Sequence, residues 1–231
     1  ELTKMTGKTV AIMQPYLWPY LGYFGLMARA DLFVVLDCVQ FPRRGRVHRS
    51  QVGMTATRPL WLTLPLSRQA RDVTIADLTF ADSAQAEWDL RLHKFQDKAV
   101  LPDQVQQVLR IRGTSVASFL CDQLAFLRDA LGLDCAILRS SDLGCDPALS
   151  GQERIVALAH RAGAQTYFNA PGGKQLYQHR AFAEKELTLR FLPQYRGKHT
   201  SLLPALVERG WDGLRRDLAE YSAIPLESAN V

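Results

Sequence analysis

The stretch KTVAIMQPYLWPYLGYFGLMARADLFVVLDCVQFPRRGRVHR, Lys8 to Arg49, decides the fold of this chain. Its short apolar run Val10–Met13 has the length and composition of a buried strand. Apolar side chains at helical spacing from Leu21 to Ala28 predict a helix with one apolar face. A second apolar run, Leu32–Leu36, then stops at Asp37. Strand, helix and strand within one short stretch form a βαβ unit, which builds a parallel sheet.

The remainder of the chain alternates strand-like and helical patterns. Val47–Met54 and Leu60–Leu66 predict two strands that leave the main sheet as an excursion, because Pro65 marks an end or an edge. Three later apolar runs predict strands at 135–138, 165–168 and 187–192. The alternation predicts an α/β fold with a mainly parallel sheet and flanking helices, Rossmann-like, plus a mostly helical middle segment.

Helical patterns fill the middle and the end of the chain. The predicted helices run over 83–99, 102–112, 115–131, 151–162, 202–209 and 211–221. We expect one α/β domain over residues 8–231, with a helical insertion at about 83–132. Residues 1–7 are expected to form a flexible N-terminus.

Composition and charge narrow the class of protein. Of the 231 residues, 47% are hydrophobic and 22% are charged, which is ordinary for a globular domain. No apolar run is long enough to span a bilayer, and residues 1–10 lack a secretory apolar stretch, so we expect a cytoplasmic protein. The cysteines and histidines have no metal-ligand spacing, so no metal site is predicted. A net charge of +5 suits an anionic partner.

Polar residues follow several of the predicted strands. Gln14 comes after the first, Asp37 to Gln40 after the second, Ser140 to Asp142 after a later one, and Asn169 to Gly173 after another. Because parallel strands end at one edge of a sheet, we expect these side chains to line a common site. Gly172 and Gly173 suit either an anion-binding backbone nest or a plain tight turn.

A basic segment follows the second strand. It contains Arg43, Arg44, Arg46, His48 and Arg49. Arginine binds phosphate oxygens in a bidentate manner, so the segment suits a sugar-nucleotide diphosphate, a phosphopantetheine arm or an RNA backbone. A solvated surface loop is the other interpretation.

The common nucleotide and hydrolase fingerprints are absent. The chain has no GxGxxG, GxxxxGK[ST] or GxSxG pattern. Tyr20-Leu21-Gly22-Tyr23 lies where HUP-type nucleotidyl-transferring enzymes carry HxGH at the start of the first helix. The first βα unit is therefore HUP-like. A tyrosine hydroxyl gives only one donor to a phosphate, so the architecture can be shared without the nucleotidyl chemistry.

Several of these segments together resemble the WbqC-like protein family. The resemblance is carried by IMQPYLWPYLGYF (12–24), the 30–41 and 43–49 segments, SSD (140–142), GQ-RI (151–155) and TYFNAPGG (166–173). The family is known largely from O-antigen and other surface-polysaccharide gene clusters, with a proposed glycine-transferase role. The matching positions are Gln14, Tyr16, Tyr20, Tyr23, Asp37, Gln40, Arg49, Ser141, Asp142, Gln152, Arg154, Asn169, Gly172 and Gly173. This chain departs from the family pattern at Cys38, Arg46, His48 and Ser50, where the family has Asp, Trp, Asn and Asn.

The resemblance implies a transferase that acylates the amine of a nucleotide-activated amino sugar with glycine or a similar amino acid. We expect Asp37 to hold or deprotonate the amine, so that Asp37→Asn abolishes transfer and leaves the fold intact. The Asn169 amide, or backbone N–H groups near Gly172 and Gly173, would support the oxyanion. The predicted substrate-binding residues are Gln14, Tyr16, Tyr20, Tyr23, Gln40, Arg43, Arg44, Arg49, Ser140, Ser141, Asp142, Gln152, Arg154, Gly172 and Gly173.

No cofactor is identifiable, and the acyl donor stays open. A carrier-protein thioester, an aminoacyl-tRNA and an ATP-activated acid all fit, so a carrier protein or a tRNA is an expected partner beside the nucleotide sugar or another phosphate-bearing small molecule. The oligomeric state is also open. Two alternatives remain: a nucleotidyl- or adenylyl-transferring HUP-type enzyme, and a non-catalytic binding protein for a phosphate-bearing ligand.

Overall fold

The opening βαβ unit forms as the sequence predicts. A computed structural model of the chain describes residues 7–54, 57–93, 95, 101–144 and 146–228. Strand β1 spans Thr9–Met13, helix α1 spans Leu21–Met27, and strand β2 spans Leu32–Val35. The two strands are parallel neighbours, with Val10 opposite Leu32. Every residue of α1 is buried, since the helix packs against the C-terminal helix of the chain as well as the sheet.

Three later strands complete the parallel part of the sheet. They are β5 (Ala136–Arg139), β6 (Thr166–Asn169) and β7 (Thr188–Phe191), and a short strand β8 (Glu227–Ser228) adds an antiparallel edge. The strand order is β5-β2-β1-β6-β7-β8. The five parallel strands and their flanking helices confirm the predicted α/β class. Strands β3 (Arg49–Met54) and β4 (Pro59–Thr63) form the predicted excursion as a separate antiparallel pair.

Side chains along the strands alternate between the two faces of the sheet, so the core has two layers. Ala11, Phe33 and Phe168 face a larger cluster with α1 and α4 (Val116–Ala130). Val10, Ile12, Val34 and Tyr167 face a second cluster with α5 (Gly151–Arg161) and α6 (His179–Ala183). Because successive residues of a strand point to opposite faces, strands this apolar are typical of a sheet covered on both sides.

The middle and C-terminal helices differ in detail from the prediction. Helix α2 covers Ala84–His93, and its predicted continuation to Ala99 falls outside the described residues, as does most of the predicted flexible N-terminus. Helix α3 covers only Asp103–Val108, because the chain after it forms hydrogen bonds with side chains of α2. The Ile111 N–H donates to the Gln85 side chain, and the Trp88 indole donates to the Leu109 carbonyl.

The two predicted C-terminal helices meet in one kinked element. Helix α7 runs over Leu202–Ala223, and Gly210 interrupts it with φ of 62°. Glycine adopts this left-handed conformation without the steric cost of a side chain. Helix α6 and strand β8 were not predicted. No helix among the described residues combines the length and apolarity needed to cross a bilayer.

Candidate functional site

The strand order brings four of the predicted positions to one edge of the sheet. Gln14 follows β1, Asp37 follows β2, Ser140 follows β5, and Asn169 ends β6. Because β5, β2, β1 and β6 are parallel neighbours in that order, their carboxyl ends lie at the same edge. Ligands of open α/β sheets bind at this edge.

Asp37 is fully buried at that edge. Its Oδ1 accepts hydrogen bonds from the Ser140 hydroxyl and the Ser141 N–H, both at 2.9 Å. Its Oδ2 accepts from Nε of Arg139 at 2.6 Å and from the Ser141 hydroxyl at 3.0 Å. A carboxylate has about four acceptor positions. All four are taken, so the predicted contact between Asp37 and a substrate amine has no free lone pair, and the residue instead ties β2 to the turn after β5.

The two serines of this network are also committed to it. The Ser140 hydroxyl accepts from the N–H groups of Asp37 and Cys38 at 3.0 and 3.1 Å while it donates to the Asp37 carboxylate. Ser140 is fully buried. Ser141 is exposed, but its hydroxyl also points to Asp37. Asp142 is also exposed. Unlike the two serines, its side chain has no hydrogen-bond partner among the described residues.

Arg139 is the site residue that the sequence analysis missed. Burial lowers its pKa, but the hydrogen bond and charge of Asp37 outweigh burial, and with Cys121 and Asp142 they raise it. Its terminal guanidinium nitrogens have no hydrogen-bond partner within the described part of the chain, and 29% of the side chain is exposed. It is the one charged residue in the run Ala136–Arg139, at the last position of β5, which is the signal that was available.

Cys121 lies near the Asp37 network but is not activated. Burial raises its pKa to about 12, against the opposing charge of Arg139. The thiol is therefore protonated at neutral pH, which agrees with the behaviour of a cysteine that serves as a small apolar side chain. Among the described residues no three His, Cys, Asp or Glu side chains are grouped as a metal ion requires.

The side chain at the end of β6 contacts the turn that follows the strand. Asn169 is buried, and its Oδ1 accepts from the Ala170 N–H at 2.7 Å. A Cβ on Gly173 would lie 2.4 Å from Nδ2 of Asn169, so glycine is required for this contact. The Gly173 N–H donates to Ala170, and neither Gly172 nor Gly173 has the positive φ of an anion-binding nest. The structure therefore gives no support to an oxyanion hole here.

The loop between β1 and α1 is held in a strained bend. Trp18 has φ of 44°, a conformation that side chains other than glycine rarely adopt. Its N–H donates to Oε1 of Gln123 at 3.2 Å, and its carbonyl accepts from the Ser50 hydroxyl at 3.1 Å. Nε2 of Gln123 also donates to the Tyr16 carbonyl at 3.1 Å. Two fully or nearly fully buried polar side chains thus maintain the bend.

The bend sets the tyrosines of the loop in different environments. Burial raises the pKa of Tyr16 and of Tyr20, and the charge of Arg46 opposes this effect in both residues. Tyr23 is only 2% exposed, and its hydroxyl donates to the carbonyl of Gln14 at 2.9 Å. The Tyr23 hydroxyl thus has a partner inside the protein. The Gln14 side chain is half-buried and makes no hydrogen bond with any described residue.

Three of the four arginines in the basic segment bind the protein itself. Arg43 donates to two carbonyls of the loop that follows β4. Arg46 donates to a carbonyl just before α7 at 3.0 Å. Arg49 donates to two carbonyls of its own loop and lies 4.5 Å from the ring centroid of Trp61. Arg44 is exposed, and its side chain has no partner among the described residues. The segment is thus an ordered loop.

Three further predicted substrate residues make internal contacts. Gln40 donates to a backbone carbonyl at 3.0 Å on the exposed side of the edge. Arg154 donates from Nη1 to the Cys38 carbonyl at 3.1 Å, which secures the chain after β2. Gln152 accepts a hydrogen bond from the chain before α6. These three side chains thus form hydrogen bonds with other parts of the protein.

His48 makes folding stability depend on pH. Burial lowers its pKa from 6.5 to about 4, and the charge of Arg49 adds to this. The unfolded chain binds the proton more readily, so stability is lost as pH falls from 6.5 towards 4. We expect urea denaturation to show a loss about 2 kcal/mol larger for the wild type than for His48→Asn across that window. Equal losses in the two proteins would contradict this assignment.

The comparisons with known proteins identify the family. Residues 14–201 match the WbqC-like protein family. The chain belongs to this family. The matched region begins at Gln14 and includes the Asp37 network, the strained loop and the turn after β6. The chain is also similar to the uncharacterized protein Rv1507c of Mycobacterium tuberculosis, with 27% identity over 188 residues that cover 77% of this chain and 78% of that protein. No solved structure gives a significant match.

Membership of the WbqC-like family confirms the resemblance on which the predicted function depends. At three of the positions expected to depart from the family pattern, this WbqC-like chain acts on residues described above. The Ser50 hydroxyl donates to the Trp18 carbonyl, and the Cys38 N–H donates to Ser140. The charge of Arg46 opposes the effect of burial on the pKa of Tyr16 and of Tyr20.

Proposed function

We propose that this WbqC-like protein is a transferase that places an aminoacyl group, glycine or a similar amino acid, on the amine of a nucleotide-activated amino sugar. Its setting would be surface-polysaccharide biosynthesis, as the family resemblance implies. The observation that carries the proposal is the guanidinium of Arg139. It is anchored through Nε to a buried carboxylate, while its terminal nitrogens have no partner among the described residues.

Arg139 supplies the phosphate contact in this proposal. A guanidinium matches two oxygens of a phosphate group, and such charge-assisted bonds are among the strong ones. Because Asp37 fixes Nε, the remaining N–H groups are oriented before the ligand arrives. Asp37 is thus a positioning residue that acts through Arg139. Arg46 and the hydroxyls of Tyr16 and Tyr20 are further candidates for the sugar and its phosphates.

Asp142 is the candidate residue for the amine. It is exposed three residues after the end of β5, and its charge acts on Arg139. The acceptor arrives as an ammonium ion, and Asp142 takes one of its protons. The freed lone pair forms the C–N bond with the acyl carbonyl carbon, the bond from that carbon to the donor's sulfur or oxygen breaks, and the leaving group takes up a second proton from the nitrogen. The donor is a carrier-protein thioester, an aminoacyl-tRNA or an ATP-activated acid.

A non-catalytic binding protein for the same ligand is the second candidate. It is favoured by the internal hydrogen bonds of Asp37 and Asn169, the two residues first expected to perform catalysis. This candidate needs Arg139 but not Asp142. The nucleotidyl-transferring alternative is weakened, because Tyr23 is buried away from any phosphate.

A titration separates these functions. We expect isothermal titration with a panel of uridine- and thymidine-diphosphate amino sugars to show binding that weakens about 10- to 100-fold in Arg139→Ala, since a charge-assisted contact is lost. Arg180→Ala is the matched control, because Arg180 is exposed on α6 and pairs with Glu184. Circular dichroism checks that Arg139→Ala is folded, and Arg139→Lys retains a charge for Asp37.

Asp142→Asn distinguishes the transferase from the binding protein. Transfer is followed as the mass of a glycyl group added to the bound sugar nucleotide, with each of the three donor classes supplied in turn. The transferase requires normal binding and at least a tenfold loss of transfer in this variant. Wild-type binding without transfer from any donor would favour the binding protein, and no binding by the wild type would overturn both.

A further inference from the structure

A cleft of about 620 Å³ opens at the carboxyl end of β7. Segment 193–197 and the C-terminal half of α7 line it. Strand β7 is the parallel neighbour of β6, so the cleft lies at the same edge of the sheet as Gln14, Asp37 and Asn169. Its volume is within the range of small-molecule sites. The transferase proposal does not use it.

We infer that this cleft holds the nucleoside of the activated acceptor, with Tyr195 as the ring on which the base stacks. The inference rests on the proposed function for the identity of the ligand as a sugar nucleotide. It adds a subsite whose lining residues are not among the predicted substrate-binding residues.

A row of tyrosines connects the cleft to the polar edge. The rings of Tyr195 and Tyr20 lie 5.7 Å apart between centroids, and those of Tyr195 and Tyr221 lie 5.2 Å apart, edge to face. The Arg46 carbonyl accepts a hydrogen bond from the Leu17 N–H at 2.9 Å, in the same loop as Tyr20, and the charge of Arg46 opposes the effect of burial on the pKa of Tyr20. A ligand that stacks on Tyr195 can therefore extend past Tyr20 towards the polar edge, where Arg46 and Arg139 are the candidates for its phosphates.

Two glycines leave room for the ring of Tyr195. A Cβ on Gly197 would lie 2.0 Å from the Tyr195 hydroxyl oxygen, and one on Gly22 would lie 2.6 Å from Cβ and Cγ of the same residue. A side chain at either position would push the ring away. The Tyr221 hydroxyl also donates to the Pro193 carbonyl at 2.8 Å, which secures the start of the loop. The half-buried ring is thus held in one place.

Polar groups at the mouth of the cleft match the rest of a nucleoside. Gln194 is exposed, and an amide can pair with the edge of a base. Glu220 and Arg196 are exposed, and their side chains have no hydrogen-bond partner among the described residues. A carboxylate at this place can accept from ribose hydroxyls. Aromatic stacking tolerates any base, so the Tyr195 ring would bind the base without selecting it, and the polar groups would determine which base is preferred.

Paired titrations test this subsite. The probes are UDP-glucosamine, which carries the nucleoside, and glucosamine 1-phosphate, which lacks it. We expect Tyr195→Ala to weaken UDP-glucosamine binding about 5- to 100-fold and to leave glucosamine 1-phosphate unchanged. Tyr195→Phe keeps the ring and should bind both probes as the wild type does. Gly197→Ala displaces the ring while it keeps the tyrosine, so it should behave as Tyr195→Ala does.

The controls separate the failure of this inference from failure of the proposed function. Phe126→Ala removes a half-buried ring that packs against Trp211 outside the residues lining the cleft, and it should leave both affinities unchanged, with thermal melts to confirm folding. Unchanged UDP-glucosamine affinity in both Tyr195→Ala and Gly197→Ala, together with a loss in Arg139→Ala, would overturn the subsite alone. If the wild type binds neither probe, the subsite fails together with the phosphate site.

Discussion

Replacing Asp37 with asparagine is expected to lower the free energy of unfolding by about 3–5 kcal/mol. The carboxylate is fully buried and accepts four hydrogen bonds, one of them from the Arg139 guanidinium. Asparagine offers one acceptor oxygen and turns an NH₂ group towards the remaining donors. The variant therefore leaves a positive charge unpaired and at least one hydroxyl or N–H unsatisfied.

Urea denaturation measures this effect, and Asp142→Asn provides the matched control. Asp142 directly follows Ser141 of the same network, on the turn Ser140–Leu143, but is exposed and has no hydrogen-bond partner among the described residues. Its amide variant is expected to stay within about 0.5 kcal/mol of the wild type. If Asp37→Asn is as stable as Asp142→Asn, the Asp37 network does not hold the edge together.

This prediction replaces the expectation that Asp37→Asn leaves the fold intact. Loss of transfer in that variant is then explained by a displaced Arg139 and by partial unfolding. A transfer assay on Asp37→Asn needs to be read beside its denaturation curve, because lost transfer alone does not identify a catalytic carboxylate.

Replacing Gln123 with leucine is expected to cost about 2–4 kcal/mol of folding stability. The side chain keeps its volume, but the Trp18 N–H and the Tyr16 carbonyl lose their partner in a fully buried place. Trp18 also keeps its unfavourable φ of 44° with one support fewer. The loop that carries Tyr16 and Tyr20 is then free to relax, and affinity for sugar nucleotides is expected to fall with stability.

Gln107→Leu is the control for this variant. Gln107 is exposed on α3, and its side chain has no partner within the described residues, so the same chemical change should alter stability by less than about 0.5 kcal/mol. Thermal melts of the two variants give the comparison. An equally small effect at both positions would show that the loop does not depend on Gln123.

The fold was largely predictable because its signals are local. The apolar runs at Val10–Met13 and Leu32–Leu36, with a helical pattern between them, each depend on neighbouring residues. Helix α6 and strand β8 are too short to leave a pattern of that kind. The end of α3 was missed since tertiary hydrogen bonds to α2 terminate it.

The shared edge of the strand ends was predictable, whereas the hydrogen bonds of the residues at that edge were not. Strand ends in a parallel sheet give the edge from topology alone. The role of Asp37 depends instead on Ser140, 103 residues away, whose hydroxyl sits within hydrogen-bond distance only after folding. Arg139 was overlooked for the same reason, because its anchor to Asp37 has no signature in spacing. Residue type showed which side chains can perform chemistry. Burial and internal hydrogen bonds determine which of those side chains can still contact a ligand.

The strained bend at Trp18 also bears on the order in which the molecule assembles. Its support comes from Gln123, 105 positions later, and from Ser50 on β3. Contacts this distant along the chain form slowly. We therefore expect the tyrosine-bearing loop to reach its native shape only after α4 has packed, later than the local unit β1, α1 and β2.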